Sequence, residues 1–126
     1  MIDALFNQPN YIAAKKALDA IELRHEAIAS NIANLETPGY KRLDLAPSFK
    51  SELDRACASG DARQLSALKP ELAVDATAVA NGRDGNTVNL ETEMMQMNKN
   101  TLAHALETQL VSDSLARLKL AITGKS

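Results

Sequence analysis

The sequence has little that would support a disulfide-linked, all-β or nucleic-acid-binding protein. Its 126 residues include one cysteine, Cys57, which excludes an intrachain disulfide and a multi-cysteine zinc site. Tryptophan is absent, and the chain has only four aromatic residues, which are Phe6, Tyr11, Tyr40 and Phe49. The 14 basic residues are outnumbered by 16 acidic ones, giving a formal net charge of −2. Since phosphate contacts usually require a basic surface, this balance argues against a dedicated nucleic-acid binder.

Long apolar runs are also missing. No run of about 18 apolar residues occurs, so we expect no membrane-spanning helix. Residues 1–8 have Asp3 where a secretory signal would have a basic region, and no long apolar stretch follows it. We therefore expect no cleavable secretory signal peptide.

The apolar residues that are present favour helix. They make up 45% of the chain, and 21 of the 57 are alanine. Alanine and leucine have high helix propensity, whereas strands draw on β-branched and aromatic residues, which are few here. The composition therefore predicts a mainly α fold and makes an all-β sandwich or barrel unlikely as an architecture.

Prolines and glycines are concentrated in the middle of the chain. Seven of these nine residues lie between positions 38 and 85, so the stretches 10–37 and 86–123 contain no helix breaker. The sequence predicts one structural domain in three parts: an N-terminal helix in 1–37, an irregular middle in 38–87 and a C-terminal helix in 88–126.

The first breaker-free stretch carries a heptad pattern. Its mostly apolar residues follow steps of three and four, which places them on one face of a helix: Tyr11, Ala14, Leu18, Ile21, His25, Ile28, Ile32 and Leu35. Pro9 suits the first helical turn, with Asn7 or Gln8 as the preceding cap.

The second stretch repeats the pattern over a longer distance. One stripe consists of Leu90, Met94, Met97, Thr101, His104, Thr108, Val111, Leu115, Leu118 and Ile122. A second stripe consists of Met95, Leu102, Leu106 and Leu110, so the apolar face is wide. Asn89 is the predicted N-cap, Glu91 and Glu93 suit the positive end of the helix dipole, and Gly124 is the predicted stop.

The predicted helices are long for a chain of this size. As helices, residues 10–35 and 88–122 would span ~39 Å and ~52 Å, against a radius of gyration of ~14 Å for a compact globule. Two interpretations stay open at this point. The chain is either a monomeric bundle with shorter or kinked helices, or a subunit that buries its terminal helices against neighbours.

The middle segment is predicted to contain short elements. Phe49, Leu53 and Cys57 are spaced for one face of a short helix after Pro47, with Cys57 as a small apolar packing residue. Residues 61–69 could form another helical turn or two. The alternation over 72–79 predicts a strand, with turns at 81–82 and 84–85.

Candidate catalytic residues are few. Glu22 and His25 have the Glu-x-x-His spacing of di-iron bundles, but such a site needs a second copy, and His104 follows Thr101 instead. No glycine-rich phosphate loop, nucleophile elbow or zinc spacing occurs. We therefore expect no enzymatic activity, no metal and no cofactor. A metal-dependent bundle enzyme would rest on Glu22 and His25 alone.

Residues 30–41, SNIANLETPGYK, end the first predicted helix. Asn31 and Asn34 are poor interior helix residues, but near a C-terminus they can bond freed carbonyl groups. Pro38 and Gly39 occupy the two central positions expected of a type II turn. The segment therefore predicts a helix end followed by a sharp turn.

This segment resembles the N-terminal signature of the flagellar axial proteins, which build the rod, hook and hook junction. The residues that match are Asn31, Ala33, Asn34, Thr37, Pro38, Gly39, Tyr40 and Lys41. Residues 84–91, DGNTVNLE, resemble the start of the C-terminal helix in proximal rod members of the same family. The resemblance covers both ends of the chain and leaves the middle weakly matched.

The resemblance implies a structural subunit of the proximal rod of the bacterial flagellar basal body, which serves motility. It implies type III export into the periplasmic space without a cleaved signal. It also implies terminal helices that pack as a coiled coil beside other copies of the chain, FlgC, FlgF and the basal-body protein FliE. The expected assembly seam consists of Leu18, Ile21, Ile28, Ile32, Leu90, Met94, Val111, Leu115 and Leu118.

Two alternatives of related architecture stay open. One is a rod subunit like FlgC, although FlgC usually carries an insertion before the Gly-Tyr element, whereas TPGYK is compact here. The other is a soluble coiled-coil adaptor or chaperone in the cytoplasm, which the acidic net charge and helical bias would also suit.

Overall fold

The computed structural model describes residues 8–124. In chain order its elements are helix α1 (Pro9–Ala33), strand β1 (Leu43–Leu45), helix α2 (Ser48–Ser59), helix α3 (Ala62–Ala67), strand β2 (Leu72–Val74) and helix α4 (Leu90–Thr123). The predicted mainly α fold is therefore confirmed, with two long terminal helices and a small sheet between them. The predictions for 1–7, including the Asn7 cap and the absence of a signal peptide, lie outside the described residues.

Helix α1 begins as its sequence predicts and ends earlier than predicted. Pro9 lies in the first turn and Gln8 is the N-cap, without a side-chain capping bond. The helix ends at Ala33 because Asn34 leaves the helical conformation (ψ 20°). The Asn34 side chain donates to the carbonyl of Ser30 (2.9 Å), which satisfies one of the last acceptors of the helix.

Helix α4 is capped at both ends as predicted. The Asn89 side chain accepts a hydrogen bond from the Thr92 N–H (3.1 Å). At the other end Gly124 adopts a left-handed conformation (φ +63°) and its N–H donates to the Leu120 carbonyl. The 34 residues between them make one uninterrupted helix of ~51 Å. Within residues 8–124, no helix combines the length and the apolar character that crossing a membrane requires.

The middle segment differs from its prediction in three places, the first of which is strand β1, a strand that the sequence did not predict. Strand β2 stops at Val74, well short of residue 79, because the Asp75 side chain accepts hydrogen bonds from the N–H and hydroxyl of Thr77 and turns the chain. The short strand pairs antiparallel with β1, with Asp44 opposite Ala73. In α2 the inward face consists of Phe49, half-buried Leu53 and Ala56, so Cys57 lies beside it and is exposed. The predicted packing role for Cys57 is therefore wrong.

The buried core is small. Its main cluster joins α1, α2 and α3 through Ile12, Ala56 and Leu65, with half-buried Ala13, Leu53, Ala62 and Leu68 packed around it. The long helices α1 and α4 pack against each other along their lengths. They run antiparallel, because Asn31 near the end of α1 contacts Glu93 at the start of α4, while the earlier carbonyl of Ile21 accepts from Asn100.

Candidate assembly site

The two segments that carry the family resemblance lie side by side. The Gly39 N–H donates to the Asp84 carbonyl (2.7 Å), and the Thr87 N–H donates to the Tyr40 carbonyl (3.0 Å). The Lys41 ammonium group donates to the Gly85 carbonyl (2.7 Å). The end of α1 and the start of α4 are therefore joined by backbone pairing between segments that are more than 40 residues apart in the chain.

The turn that follows α1 is the predicted type II turn. Gly39 has φ +74°, and the Tyr40 N–H donates back to the Thr37 carbonyl (3.2 Å). A residue with a Cβ is strained at this φ, so glycine is the residue that suits the position. The turn directs the chain from the helix toward β1 and brings Tyr40 back over the last turn of α1. Its hydroxyl there donates to the Asn31 side chain (3.3 Å).

Asn31 is completely buried (0% exposed), and the side-chain partners that hold it lie outside its own helix. Its amide group donates to the Leu43 carbonyl and its oxygen accepts from the Leu43 N–H, both at 2.8 Å. The side chain thereby pairs with β1 in the way a neighbouring strand would. The prediction that an asparagine bonds freed helix carbonyls is confirmed for Asn34 and is wrong for Asn31, whose partners are Tyr40, Leu43 of β1 and Glu93 of α4.

Arg42 and Glu93 form a buried ion pair between β1 and α4. The Arg42 Nε donates to Glu93 Oε1 (2.7 Å), and a second nitrogen reaches Asp75 (2.5 Å). Burial alone would lower the pKa of Arg42, but the hydrogen bonds to Glu93 and Asp75 and the neighbouring carboxylates raise it above its ordinary value. The guanidinium group is therefore firmly charged, and it neutralises a carboxylate that is 0% exposed.

Asn86 caps α1 from a distant loop. Its buried amide nitrogen lies within hydrogen-bond distance of three carbonyl oxygens at the end of α1 and in the turn, those of Asn34 (2.9 Å), Leu35 (3.1 Å) and Thr37 (2.8 Å). Its oxygen accepts from the Val88 N–H (2.7 Å). The carbonyl groups that follow the end of α1 are thus satisfied by a residue of the second motif.

We name this arrangement the clasp and define it as Asn31, Tyr40, Arg42, Asn86 and Glu93. Sequence reasoning identified Asn31 and Tyr40 and missed the roles of the other three. Among the described residues every buried side-chain nitrogen or oxygen has a partner, so the polar network is satisfied. The clasp fixes how the end of α1 meets the start of α4, which determines how the two long helices are presented.

Asp75, at the edge of the clasp, should make stability depend on pH. The side-chain hydrogen bond from Thr77, followed by contributions from the Thr77 N–H and Arg42, lowers its pKa below the ordinary 3.8. A lowered folded-state pKa contributes stability above the unfolded pKa, and that contribution is lost as the pH falls through the folded value. We expect the stability difference between the natural chain and Asp75→Asn to shrink below about pH 4.

Urea unfolding at intervals between pH 7 and pH 2.5 measures this difference. The matched control is Asp19→Asn, because Asp19 is exposed on α1 and takes part in none of the ion pairs of residues 8–124. Its stability difference should change less with pH. An Asp75→Asn difference that stays constant down to pH 2.5 would contradict the assignment.

The α1 half of the predicted seam faces inward in part. Ile28 is buried (1% exposed), and Leu18, Ile21 and Ile32 are half-buried. The seam residues of α4 differ in exposure. Leu118 is buried and Val111 half-buried, whereas Leu90, Met94 and Leu115 are exposed.

The face of α4 that α1 covers is largely polar or small. Its buried or half-buried residues include Glu93, Asn100, Glu107, Ser114 and Leu118. Burial raises the pKa of Glu107. Because these residues occupy the inward side, most of the large apolar residues of α4 lie outside the contact with α1. Nine of them are exposed: Leu90, Met94, Met95, Leu102, Leu106, Leu110, Leu115, Leu120 and Ile122. So many exposed large apolar side chains on one helix are typical of an interaction site.

The residues considered for metal chemistry are dispersed. Glu22, His25 and His104 are all exposed. In the part of the chain that the structure describes, no three or more histidine, cysteine or acidic side chains are grouped so that they could hold a metal ion.

Comparisons with known proteins show which family the chain is similar to. A family model described as flagella basal body rod protein matches residues 13–41, which contain most of α1 and the turn that follows it. The chain is 35% identical over 118 residues to the flagellar basal body rod protein FlgB of Cereibacter sphaeroides (strain ATCC 17029 / ATH 2.4.9), covering 87% of this chain and 91% of that protein. It is 28% identical over 127 residues to FlgB of Borrelia hermsii (86% and 92%). It is 31% identical over 117 residues to FlgB of Escherichia coli K12 (80% and 83%).

These relatives match over most of their length, including both segments of the clasp region. They are rod proteins, which decides against the cytoplasmic adaptor, and they carry the name FlgB, which decides against a FlgC-like subunit. The chain belongs to the FlgB family of flagellar basal body rod proteins and is a structural subunit of the rod.

Proposed function

We propose that the protein forms part of the proximal rod, and that it assembles by burying α4, together with the exposed side of α1, against neighbouring subunits. One observation carries this proposal: nine large apolar side chains of α4 are exposed in the isolated chain. They are distributed from Leu90 to Ile122, so exposed apolar side chains run the length of the helix outside its contact with α1. A rod subunit has neighbours along its length, and such neighbours would supply the missing cover.

The exposed apolar surface is large enough to drive association. Burying a half-exposed leucine or methionine contributes on the order of 1 kcal/mol, so nine contribute on the order of 10 kcal/mol. This is comparable to the roughly 4–15 kcal/mol that association costs in lost freedom of motion. The contacts of α1 with further subunits would add to it. The surface therefore suits an assembly in which each chain has several neighbours.

The clasp supports this role by holding the two long helices in one relative position. We infer a division of labour along the chain, in which 1–37 and 88–126 form the axial core and 38–87 form the segment that locks them together. In the assembly seam, Leu90, Met94 and Leu115 would contact neighbouring subunits directly. The remaining members, which are buried or half-buried in the isolated chain, would back them: Leu18, Ile21, Ile28, Ile32, Val111 and Leu118. The protein would have no catalytic activity.

The neighbours that we propose are further copies of this chain, the rod subunits FlgC and FlgF and the basal-body protein FliE. The chain would reach them through the flagellar type III export apparatus and assemble in the periplasmic space. The family membership and the resemblance at both termini support these steps.

Replacing Met94 by aspartate should abolish motility without unfolding the protein. Met94 is 55% exposed, so a carboxylate there stays hydrated in the isolated chain and should change its stability by less than about 0.5 kcal/mol. In a helix contact between subunits the same carboxylate would be buried without a partner, which is strongly unfavourable. Swimming in soft agar and recovery of the chain in purified basal bodies measure the effect, while urea unfolding confirms that the variant folds.

The matched control is Val79→Asp, which places the same charge on an exposed valine outside the helices (80% exposed). This variant should assemble and swim normally. Ile28→Asp would be a poor test, because Ile28 is buried in the isolated chain and its replacement would disturb folding. Normal motility of the Met94→Asp strain would contradict the proposed seam.

A further inference from the structure

A cavity lies between the first half of α1, helix α2 and the second half of α4. Its volume is about 410 Å³, which is in the range of ligand pockets. Helix α1 contributes Asn10 and three alanines to the wall, α2 contributes Leu53 and Cys57, and α4 contributes residues between Glu107 and Arg117. The alanines leave the space open, because each presents only a methyl group to it.

The charged residues of this cavity all come from α4, and their charges do not balance. They are Glu107, Asp113 and Arg117, and no other lining residue within 8–124 is charged. Arg117 follows Asp113 by four residues, which is a spacing at which two side chains can pair on a helix. It follows Glu107 by ten residues, or ~15 Å along the helix axis, so it is placed to neutralise the nearer carboxylate. The cavity therefore has one carboxylate in excess, and that carboxylate is Glu107.

The side chain of Glu107 has no partner among residues 8–124. It makes no ion pair and no hydrogen bond there, although it is half-buried. Burial therefore raises its pKa without an opposing contribution from a cation. Neighbouring subunits that cover α4 would remove this carboxylate further from water. A carboxylate in that position is stable only beside a group of opposite charge.

We propose that the cavity receives one arginine or lysine side chain from an adjoining subunit of the assembled rod. The cationic group lies at Glu107, and its methylene stem packs against Leu53 of α2 and Leu110 of α4. An apolar side chain would fill the same space but would leave Glu107 buried without a partner. The charge of the cavity therefore selects a basic side chain.

This contact rests on the proposed function, because it needs a neighbour that covers α4. It forms in the assembled rod and therefore requires no folded α4 in the free chain. None of the nine seam residues, all of which lie within 8–124, lines the cavity. The two proposals can therefore fail separately. Normal assembly of a Met94→Asp strain would contradict the seam, whereas normal assembly of a Glu107→Gln strain would contradict only the basic side chain.

Cys57 reports whether the cavity is filled, because it lines the cavity, is exposed and is the only cysteine of the sequence. N-ethylmaleimide should modify it at least about tenfold more slowly in purified basal bodies than in the purified chain. The matched control is Ala58→Cys in a Cys57→Ser background, since Ala58 is the next residue of α2, is exposed and lies outside the cavity. Its reactivity should change by less than about threefold. An unchanged rate at Cys57, or equal protection at both positions, overturns the proposal.

Replacements of Glu107 test the charge of the occupant. Glu107→Gln keeps the size of the side chain but leaves the incoming cation without a partner, so the chain recovered in purified basal bodies should fall about tenfold. Glu107→Asp keeps the charge and should retain at least about half of the natural amount. Immunoblots of whole cells check that each variant is present at its natural level.

The matched control is Glu26→Gln, which removes an exposed carboxylate of α1 outside the cavity and should leave assembly unchanged. Glu107→Lys places a like charge against the incoming cation and should abolish swimming in soft agar. Glu107→Leu should assemble as poorly as Glu107→Gln. Normal assembly of the glutamine or leucine variant would show that no cation binds at this position and would overturn the proposal.

Discussion

Replacing Arg42 by methionine is expected to lower the free energy of unfolding by about 3–5 kcal/mol, because a buried charge is left without its partner. Glu93 is fully buried, and its close contacts are the Arg42 Nε at 2.7 Å and the weaker Asn31 amide at 3.2 Å. Methionine preserves most of the volume of the arginine side chain and removes the charge. Urea unfolding at pH 7 measures the loss, which is a large fraction of the stability of a domain this size.

A second replacement distinguishes how much of the stability loss comes from the broken ion pair and how much comes from changed packing. Adding Glu93→Leu to Arg42→Met removes the uncompensated charge, and we expect the double variant to recover most of the stability that the single variant lost. The matched control is Lys41→Met, the same change in residue size one position earlier at an exposed side chain. It should cost less than about 1 kcal/mol. Equal losses in the single and double Arg42 variants would show that packing, and not charge, determines the effect.

Local chemistry predicted the elements of this fold well. The positions of proline and glycine located both long helices, since a helix cannot pass through residues such as Pro38 and Gly39 without losing hydrogen bonds or its conformation. The Asn89 cap, the Gly124 stop and the type II turn are also decided within a few residues of chain. Interactions between residues a few positions apart can be recognised in a sequence, because both partners appear close together in it.

The inward face of α4 could not be predicted in the same way. Apolar periodicity assigns the inside of a helix to leucine and methionine, whereas the structure turns Glu93 and Asn100 inward. Their position depends on Arg42, 51 residues before Glu93, and on the backbone carbonyl of Ile21, 79 residues before Asn100. A buried carboxylate is stable only where such a partner contacts it. The pattern of apolar residues does not show which distant polar residues will be in contact.

For the same reason, apolar periodicity could not identify which residues of the long helices are exposed in the isolated chain. Heptad spacing correctly indicates that Met94 and Leu115 belong to an apolar stripe, but it does not distinguish a partner within the chain from a partner in another molecule. In the structure Leu118 is buried within the chain, whereas Met94 and Leu115 are exposed, and we propose that neighbouring subunits cover these two. The scarcity of aromatic residues is consistent with this proposal. A chain that obtains part of its core from neighbouring subunits needs fewer large anchors of its own.

The second large effect concerns the two asparagines of the family motif, which the sequence presents as equivalent and the structure does not. Asn31→Leu removes four hydrogen bonds and leaves the N–H and carbonyl of Leu43 without their partners, so we expect a loss of about 2–4 kcal/mol in the free energy of unfolding. Asn34→Leu, the matched control, removes a bond to the Ser30 carbonyl and one from Thr37, both local, and should cost about 1 kcal/mol or less.

Urea unfolding compares the two variants, and hydrogen exchange of the Leu43 amide locates the effect. That amide should lose protection in Asn31→Leu and retain it in Asn34→Leu, because only Asn31 accepts a hydrogen bond from it. Equal losses of stability in the two variants, or an unchanged Leu43 amide, would mean that β1 is held in place without Asn31. The unequal result would show that this asparagine serves in the motif as the partner of a strand, and that the end of α1 is shaped by what lies beside it.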